Sequence, residues 1–226
     1  RSGYSRVFMF DPHYQQIATT FPPTCPAEAM NLSGPLMKFI NEEHPEILDG
    51  KVFMAFSDRG ALKNYGYMAD PELMDLPTVP LSKTRGSEDL KNMRVLKQRD
   101  DLEGATVIFR EDEMATMGTL SDATRELREG FGVGDVYAIV SHVKPSIMRP
   151  EFSDLSRRRV VENEINIIGT DGVPIPTDLS EEEKKYYSIM HIYDLIADVI
   201  LTRERGGSLR SFFDPRAWAN GNRGSV

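Results

Sequence analysis

The residues best suited to chemistry lie in the segment EDEMATMGTL, residues 111–120, which follows the apolar run ATVIF. Its start supplies the paired carboxylates of Glu111 and Asp112, and its end is a Thr-Met-Gly-Thr turn that leads into a helical pattern. Backbone amides at a helix start, with threonine hydroxyls, can bind a phosphate. Carboxylates instead accept hydrogen bonds from sugar hydroxyls. A ribose 5-phosphate pocket explains both features, but an acidic strand end before an ordinary Ser/Thr helix start explains the residue types equally well.

The elements that must position this segment are predicted from apolar patterns. Short apolar runs ended by polar turns predict buried strands at 6–10, 50–58, 104–109, 135–142 and 165–176. Helical periodicity predicts helices at 33–43, with Ser33 as N-cap, at 120–131 and, long and amphipathic, at 181–207. Strands that alternate with helices favour an α/β fold with a mostly parallel sheet flanked by helices.

Other stretches lack such patterns. Three prolines interrupt residues 71–90, whose second part is polar, so we interpret this stretch as a loop. The charge run SRRRVVENE at 156–164 is interpreted as an exposed insertion, and the tail at 219–226 as disordered.

The carboxyl ends of parallel strands form one edge of a sheet, and ligands bind beyond that edge in open α/β folds. Polar side chains follow the predicted strands, so we expect the functional site there. These residues are Asp11, His13, Asp58, Glu111, Asp112, Ser141, His142, Thr170 and Asp171.

The overall composition restricts the partners and the compartment. The chain has 226 residues, of which 40% are hydrophobic, and its net charge is −8. This charge argues against non-specific binding to nucleic acid or to an anionic membrane. No apolar run is long enough to span a bilayer. The single cysteine, Cys25, fits a reducing compartment, so we expect a cytoplasmic protein.

The segment at 111–120 resembles the phosphoribosyl pyrophosphate loop of type I phosphoribosyltransferases, in which apolar residues precede two acids and a Thr-Gly-rich turn. Further segments resemble, in the same order along the chain, segments of the ribose-phosphate pyrophosphokinases. These are RVFMFDPHYQQIATTF, KVFMAFSDRGALK, LSKTRGSED, DVYAIVSHVKPSIM, IIGTDGVPIP and GGSLRSFFD. Because this order is more specific than any one motif, the chain as a whole resembles that family, with a phosphoribosyltransferase-like fold.

The resemblance implies transfer of the diphosphoryl group of Mg-ATP to the C1 hydroxyl of ribose 5-phosphate, which yields phosphoribosyl pyrophosphate and AMP. Mg²⁺ is then the implied cofactor and ATP the co-substrate. His13 and Asp58 match the residues that face the metal in the family. Lys83 and Arg85 match the two cations of a mobile catalytic loop, where they would clamp the transferred group.

The resemblance also implies a sugar site. Glu111 and Asp112 would hold the ribose hydroxyls. The 5-phosphate site would consist of Ala115, Thr116, Met117, Gly118 and Thr119. Met117 stands where the family has the first glycine of the turn, Ala115 replaces a common acid, and Glu113 adds a third carboxylate.

These departures leave three functions open. The first is a ribose-phosphate pyrophosphokinase, and the second is a catalytically degraded paralogue that acts as a regulatory or structural subunit. The third is a phosphoribosyltransferase, or a pyrophosphokinase with a different ribose-phosphate acceptor. The implied assembly is a homo-oligomer, or a hetero-oligomer with a catalytic paralogue.

The domain organisation is also inferred from the resemblance. The chain starts at Arg1 without Met and enters an apolar run directly, so we expect a fragment. Residues 1–24 would end a truncated N-terminal phosphoribosyltransferase-like domain, and 25–205 would form the C-terminal domain of the same kind. Residues 206–226 would form a C-terminal segment with the disordered tail.

Overall fold

A computed structural model of the chain describes residues 3–57, 59–69, 76–79, 81–85, 91–95, 102–145 and 148–213. Its strands are β1 (Val7–Phe10), β2 (Ala27–Met30), β3 (Val52–Ala55), β4 (Thr78–Val79), β5 (Leu81–Arg85), β6 (Lys91–Val95), β7 (Thr106–Met114), β8 (Val136–Val143), β9 (Ile165–Thr170) and β10 (Tyr187–Met190). Its α-helices are α1 (Ser33–Glu43), α2 (Arg59–Tyr65), α3 (Gly118–Phe131), α4 (Pro150–Glu162), α5 (Glu181–Lys184), α6 (Tyr193–Glu204) and α7 (Arg210–Phe213). Three short 3-10 helices lie at Gln15–Thr20, Pro45–Leu48 and Gly66–Ala69.

The central feature is a six-stranded sheet in the order β10-β9-β8-β7-β3-β4, in which the neighbouring strands pair in parallel. Alternate residues of β7 enter two separate core clusters, with Val107 and Phe109 in one and Ile108 in the other. Both faces of the strand are therefore covered, as a parallel sheet requires. The predicted α/β class with a mostly parallel sheet flanked by helices is confirmed.

Two smaller sheets accompany the central one. β1 and β2 pair in parallel, whereas β5 and β6 pair antiparallel, with Lys83 opposite Met93 and Arg85 opposite Lys91. The strand β2 has no counterpart among the predicted elements. The prediction of a loop over 71–90 is wrong at β4 and β5, because the backbone of β4 pairs with the distant strand β3 and that of β5 pairs with β6, the next strand along the chain.

The prediction of one long helix over 181–207 is wrong. A capping box between Ser180 and Glu183 starts α5, which ends after one turn. The chain then forms β10 on the edge of the sheet, beside β9, before α6 begins. Tyr and Ile suit strands as well as helices, and pairing with β9 decides between them.

The interpretation of 156–164 as an exposed insertion is also wrong. These residues belong largely to α4, which packs against α3 and β9. Val160 and Ser156 are fully buried, so the helix supplies part of the core behind its charged face.

Two boundaries differ from the predictions in a way that matters for the site. The strand predicted at 104–109 continues to Met114, so the acidic residues lie within β7. The N-cap of α1 is Leu32 and not Ser33, whose hydroxyl instead accepts a hydrogen bond from the Arg110 Nε at 3.1 Å. The predicted tail at 219–226 lies outside the described residues, and the boundary at residue 24 stays a prediction.

Candidate functional site

The candidate site is built on the junction of β7 and α3, at the carboxyl edge of the sheet. Along β7, Glu111 and Glu113 pair in register with Val140 and His142 of β8. Successive side chains of a strand alternate between its faces. The neighbours Glu111 and Asp112 therefore leave the strand in different directions, so the strand separates the two predicted sugar contacts more than the sequence suggests.

His13 and Asp112 meet at this junction although the sequence separates them widely. The His13 Nδ1 lies 2.6 Å from the Asp112 Oδ2, and the Asp112 Oδ1 accepts a hydrogen bond from the Glu113 amide at 2.9 Å. An ionised carboxylate only accepts hydrogen bonds, so His13 donates from Nδ1. In the neutral imidazole the lone pair then lies on Nε2, which is the atom free to bind a metal ion or to accept a proton.

A second carboxylate, that of Glu113, completes a possible cation site. His13, Asp112 and Glu113 each offer one ligand atom, and these atoms lie within 4.8 Å of one another. Two carboxylates suit Mg²⁺ or Mn²⁺, and a histidine oriented by a carboxylate is a common metal ligand. The Lys144 ammonium contacts the Glu113 Oε2, which leaves one Glu113 oxygen for a cation. The residues present therefore fit a divalent cation.

The turn that follows β7 keeps a glycine-like backbone without glycine. Met117 has φ 59° and ψ 11°, which is the left-handed conformation, and it is the N-cap of α3. Its side chain is buried in the core cluster that covers one face of β7. The position that resembles a glycine turn in the sequence has therefore kept the turn geometry, while its side chain serves the core.

Arginine 159 of α4 lies against this turn, and sequence analysis missed it. Its Nη1 donates a hydrogen bond of 2.7 Å to the Thr116 carbonyl. A Cβ placed on Gly118 would come within 3.2 Å of the same Nη1. The turn thus combines the amide end of a 14-residue helix with a guanidinium group, and both favour an anion.

The other predicted site residues lie partly at the β7–α3 turn and partly outside the described residues. Ala115 and Thr119 are half-buried and Thr116 is exposed at the β7–α3 turn. Lys83 and Arg85 belong to β5, and their side chains lie outside the part of the chain that the structure describes. Asp58, the other predicted metal ligand, also lies outside the described residues.

A buried ion pair beneath the site is the second feature that sequence analysis missed. The Arg110 Nη2 lies 2.6 Å from the Asp11 Oδ2, and both side chains are almost completely buried. His142 also binds the segment that contains Asp11, because its Nε2 donates a hydrogen bond to the Phe10 carbonyl at 2.8 Å. The only sequence signal was the position of Asp11 and His142 after strands, and no pattern marked Arg110.

A second His–Asp pair occurs further along the same edge. The His191 Nδ1 lies 2.6 Å from the Asp171 Oδ2, and the Asp171 Oδ1 accepts a hydrogen bond from the Ile192 amide at 3.0 Å. This geometry repeats that of His13 and Asp112, but among the described residues no third metal-ligating side chain joins His191 and Asp171.

Comparisons with known proteins extend the resemblance over most of the chain. No family model matches it. Ribose-phosphate pyrophosphokinase from Listeria ivanovii is 25% identical over 214 residues, which are 94% of this chain and 61% of that protein. The enzyme of the same name from Synechocystis sp. is 27% identical over 212 residues, which are 94% of this chain and 58% of that protein.

A solved structure agrees with these sequence matches. Phosphoribosylpyrophosphate synthetase from Mycobacterium smegmatis superposes with a TM-score of 0.70 at 25% identity, over 91% of this chain and 60% of that one. This chain is similar to the ribose-phosphate pyrophosphokinases in sequence and in fold. The predicted resemblance and the phosphoribosyltransferase-like fold are therefore confirmed. The chain spans about 60% of the length of the curated pyrophosphokinases that it matches.

Within the described ranges, no helix combines the length and the apolar character that crossing a membrane demands.

Proposed function

We propose that this chain carries the sugar-phosphate site of a ribose-phosphate pyrophosphokinase. In the proposed reaction the C1 hydroxyl of ribose 5-phosphate attacks the β-phosphorus of ATP and loses its proton. The bond between the α- and β-phosphates breaks, so that phosphoribosyl pyrophosphate and AMP are the products. Because the chain spans only part of its relatives, the proposal concerns the whole protein to which it belongs.

The junction of β7 and α3 is the observation that carries this proposal. On one side of the turn lie Asp112, Glu113 and His13, which can bind hydroxyls or a cation. On the other side lie the amide end of α3 and the Arg159 guanidinium, which favour a phosphate. A ligand with adjacent hydroxyls and a phosphoryl group matches this division of chemistry.

The magnesium ion of the proposed reaction would be held at the edge of the sheet. His13 and Asp58 are the proposed ligands from the resemblance, and the geometry adds Asp112 and Glu113 as candidates. A bound Mg²⁺ would neutralise phosphate charge while the diphosphoryl group moves. His13 is held by Asp112, which fixes the ring orientation before any ligand arrives.

Lys83 and Arg85 are proposed as the cations that clamp the transferred group, on the basis of the resemblance alone. They lie two residues apart on β5. Closure of such a segment over ATP would exclude water from the reacting phosphates.

The second candidate is the non-catalytic paralogue. Its sequence support was Met117 and Ala115 in the phosphate turn. Met117 has the left-handed backbone conformation that favours glycine, so its presence in the turn is weak support for this candidate. The absence of an acid at Ala115 still favours it. Homo-oligomeric assembly, assembly with a catalytic paralogue and the cytoplasmic location are further parts of the proposal.

The test uses the full-length protein with Mg-ATP and ribose 5-phosphate, and measures AMP formation. We expect turnover, and we expect Asp112→Asn to lower kcat/KM by about 10- to 100-fold, since Asp112 orients His13. Asp154→Asn, an exposed acid of α4, is the matched control and should retain activity. Absence of turnover with retained binding of ribose 5-phosphate would favour the non-catalytic paralogue, and absence of both would refute the proposed site.

A further inference from the structure

We infer that the buried Asp11–Arg110 ion pair is a positioning device that holds His13 against Asp112. The inference rests on the proposed function only in taking the His13–Asp112 pair as part of the site. Asp11 lies two residues before His13, and Arg110 lies two residues before Asp112. Each pair joins residues that are 99 positions apart in the chain. The two contacts therefore connect the same two segments, one inside the protein and one at its surface.

Arg110 makes contacts with four separate parts of the fold. Its Nη2 donates to the Asp11 Oδ2 at 2.6 Å and to the Ser141 hydroxyl at 2.8 Å, and its Nε donates to the Ser33 hydroxyl at 3.1 Å. Its guanidinium carbon lies 4.1 Å from the ring centroid of Tyr65. These directional contacts fix the guanidinium plane, and through it the carboxylate of Asp11.

Asp11 is held equally firmly. Its Oδ2 also accepts hydrogen bonds from the Leu32 amide at 3.0 Å and from the Ser141 hydroxyl, and its amide donates to the Met30 carbonyl at 2.7 Å. Its backbone has φ 39°, a left-handed conformation that is rare outside glycine. Such a conformation persists where the surroundings over-determine it. The bend at Asp11 turns the chain from β1 towards His13, so the ion pair holds the bend that sets the direction of His13.

Stability alone does not explain a buried ion pair. The cost of removing both charges from water commonly exceeds their attraction, and apolar residues of similar volume often serve as well. An apolar contact, however, tolerates sliding of one segment over the other, whereas charge-assisted hydrogen bonds specify one alignment. A site requires its groups to be placed within about 0.5 Å, which is the accuracy that such an alignment supplies.

The contacts of His13 itself show why it depends on this support. The ring is more than half exposed, and its described contacts are Asp112 and the edge of Tyr14, with ring centroids 4.5 Å apart. Tyr14 is itself exposed. The buried anchor nearest in sequence is therefore Asp11, two residues away.

The test is nuclear magnetic resonance of the full-length protein, with the ring nitrogens of His13 and His191 observed at one fixed pH. In the parent protein both rings should be protonated on Nδ1, as the two aspartate contacts require. The double variant Asp11→Asn, Arg110→Met removes both charges without leaving one unpaired, and asparagine tolerates the left-handed backbone. We expect the His13 ring to lose its preference for Nδ1 protonation, while His191 keeps it.

Two further variants separate positioning from general loss of stability. Arg110→Lys, with Asp11 intact, should restore part of the His13 preference. Gly169→Ala introduces strain in β9, outside the segments that carry His13 and Asp112. It should lower the stability of the fold and leave the ring signals of His13 unchanged. If the double variant does not fold, Ser141→Ala removes a hydroxyl bonded to both charges, and the same shift at His13 is expected to a smaller extent.

Unchanged His13 signals in a folded double variant, or in Ser141→Ala, would overturn the inference, as would a parent protein in which His13 shows no Nδ1 preference. A second readout is Mn²⁺ affinity, which should fall about 10-fold or more in the double variant. If the parent protein binds no Mn²⁺, the proposed cation site fails, while the ring signals still decide the positioning role. The two proposals can thus fail separately.

Discussion

At the scale of single residues, the site contains two side chains in a backbone conformation that disfavours them. Asp11 and Met117 both have positive φ, at a cost of about 1–2 kcal/mol each. Asp11 is compensated by its buried hydrogen bonds, and Met117 by burial of its side chain, which contributes about 1.5–3 kcal/mol. Both residues flank the segments that would contact a ligand.

At Met117 we expect the glycine variant to be more stable than the alanine variant, which reverses the usual order. Met117→Ala should destabilise the fold by about 2–5 kcal/mol, because it removes buried atoms and keeps the left-handed strain. Met117→Gly removes the same atoms and relieves the strain, so it should be more stable than the alanine variant by about 1 kcal/mol. Urea unfolding of both variants measures the difference, and a less stable glycine variant would contradict the assigned conformation.

Arg159 is the residue whose charge should matter most for a phosphate at the turn. Arg159→Gln should weaken ribose 5-phosphate binding about tenfold and leave binding of ribose unchanged, because hydrogen bonds to a charged group contribute about 1.5–3 kcal/mol. Isothermal titration calorimetry of the full-length protein measures both affinities. Arg158→Gln is the control, since this neighbour carries the same charge on the exposed face of α4. Equal losses in the two variants would show only a general charge effect.

At the scale of elements, the packing of β9 against β8 places a limit on side-chain size. Gly169 lies where a Cβ would meet the Val143 Cγ2 at 2.4 Å and the Val140 carbonyl oxygen at 3.4 Å. The glycine therefore allows β9 to lie close to β8 at the end that carries Thr170 and Asp171. A larger residue would push β9 away from β8 at this position.

Gly169→Ala should destabilise the protein by about 1–3 kcal/mol through this overpacking. Val143→Ala removes the obstructing methyl group and has its own cost of about 1.5 kcal/mol for the atoms lost. The double variant should lose less than the sum of the two single variants, since the new methyl group fills the space. Thermal or urea unfolding measures all three, and strict additivity would argue against the contact.

At the scale of the whole molecule, a small parallel sheet is fastened to a large one. β1 lies before residue 24 and β2 lies after it, and the two strands pair in parallel. The domain boundary at residue 24 stays a prediction. Asp11 and the Phe10 carbonyl connect β1 to β7 and β8 through Arg110 and His142. The connection is polar and directional, and Phe10 adds an apolar contact with the core. The two sheets therefore have a defined alignment at the point where the site lies.

The stability of the whole fold should decline at alkaline pH because the hydroxyl of Tyr187 is buried. Burial raises the pKa of Tyr187 well above its ordinary value of 10.0, with the Glu183 carboxylate as a smaller cause. The unfolded chain then loses the proton at lower pH than the folded one, so stability is undiminished below pH 10 and falls above it. The decline should be about 1.4 kcal/mol per pH unit for this group. Urea unfolding at several pH values above 9 measures it.

Tyr187→Phe should remove this part of the decline. At neutral pH the variant should be as stable as the parent or more so, since the Tyr187 hydroxyl has no hydrogen-bond partner among the described residues. The exposed Tyr193 provides the control, because Tyr193→Phe should keep the alkaline decline. An unchanged decline in Tyr187→Phe would contradict the burial of its hydroxyl.

The amino-acid sequence by itself determined the class of the fold, and it predicted where the candidate site lies. Apolar runs of strand length predicted β1, β3, β7, β8 and β9, because burial on both faces leaves a local pattern. The order of motifs predicted the resemblance to the pyrophosphokinases, and the comparisons of sequence and fold confirm it. The residue types of the β7–α3 turn predicted a phosphate site there, and this site stays a prediction.

Tertiary structure alone decided what depends on distant partners. The segment YYSIM became β10 because β9 offers it an edge, and the charge run became part of α4 because Val160 faces the core. Asp11 and Arg110, or His13 and Asp112, meet only after the sheets are assembled, and no spacing in the sequence marks residues 99 positions apart. Local patterns record whether a residue will be buried, but which residue it will contact is set by how the elements pack.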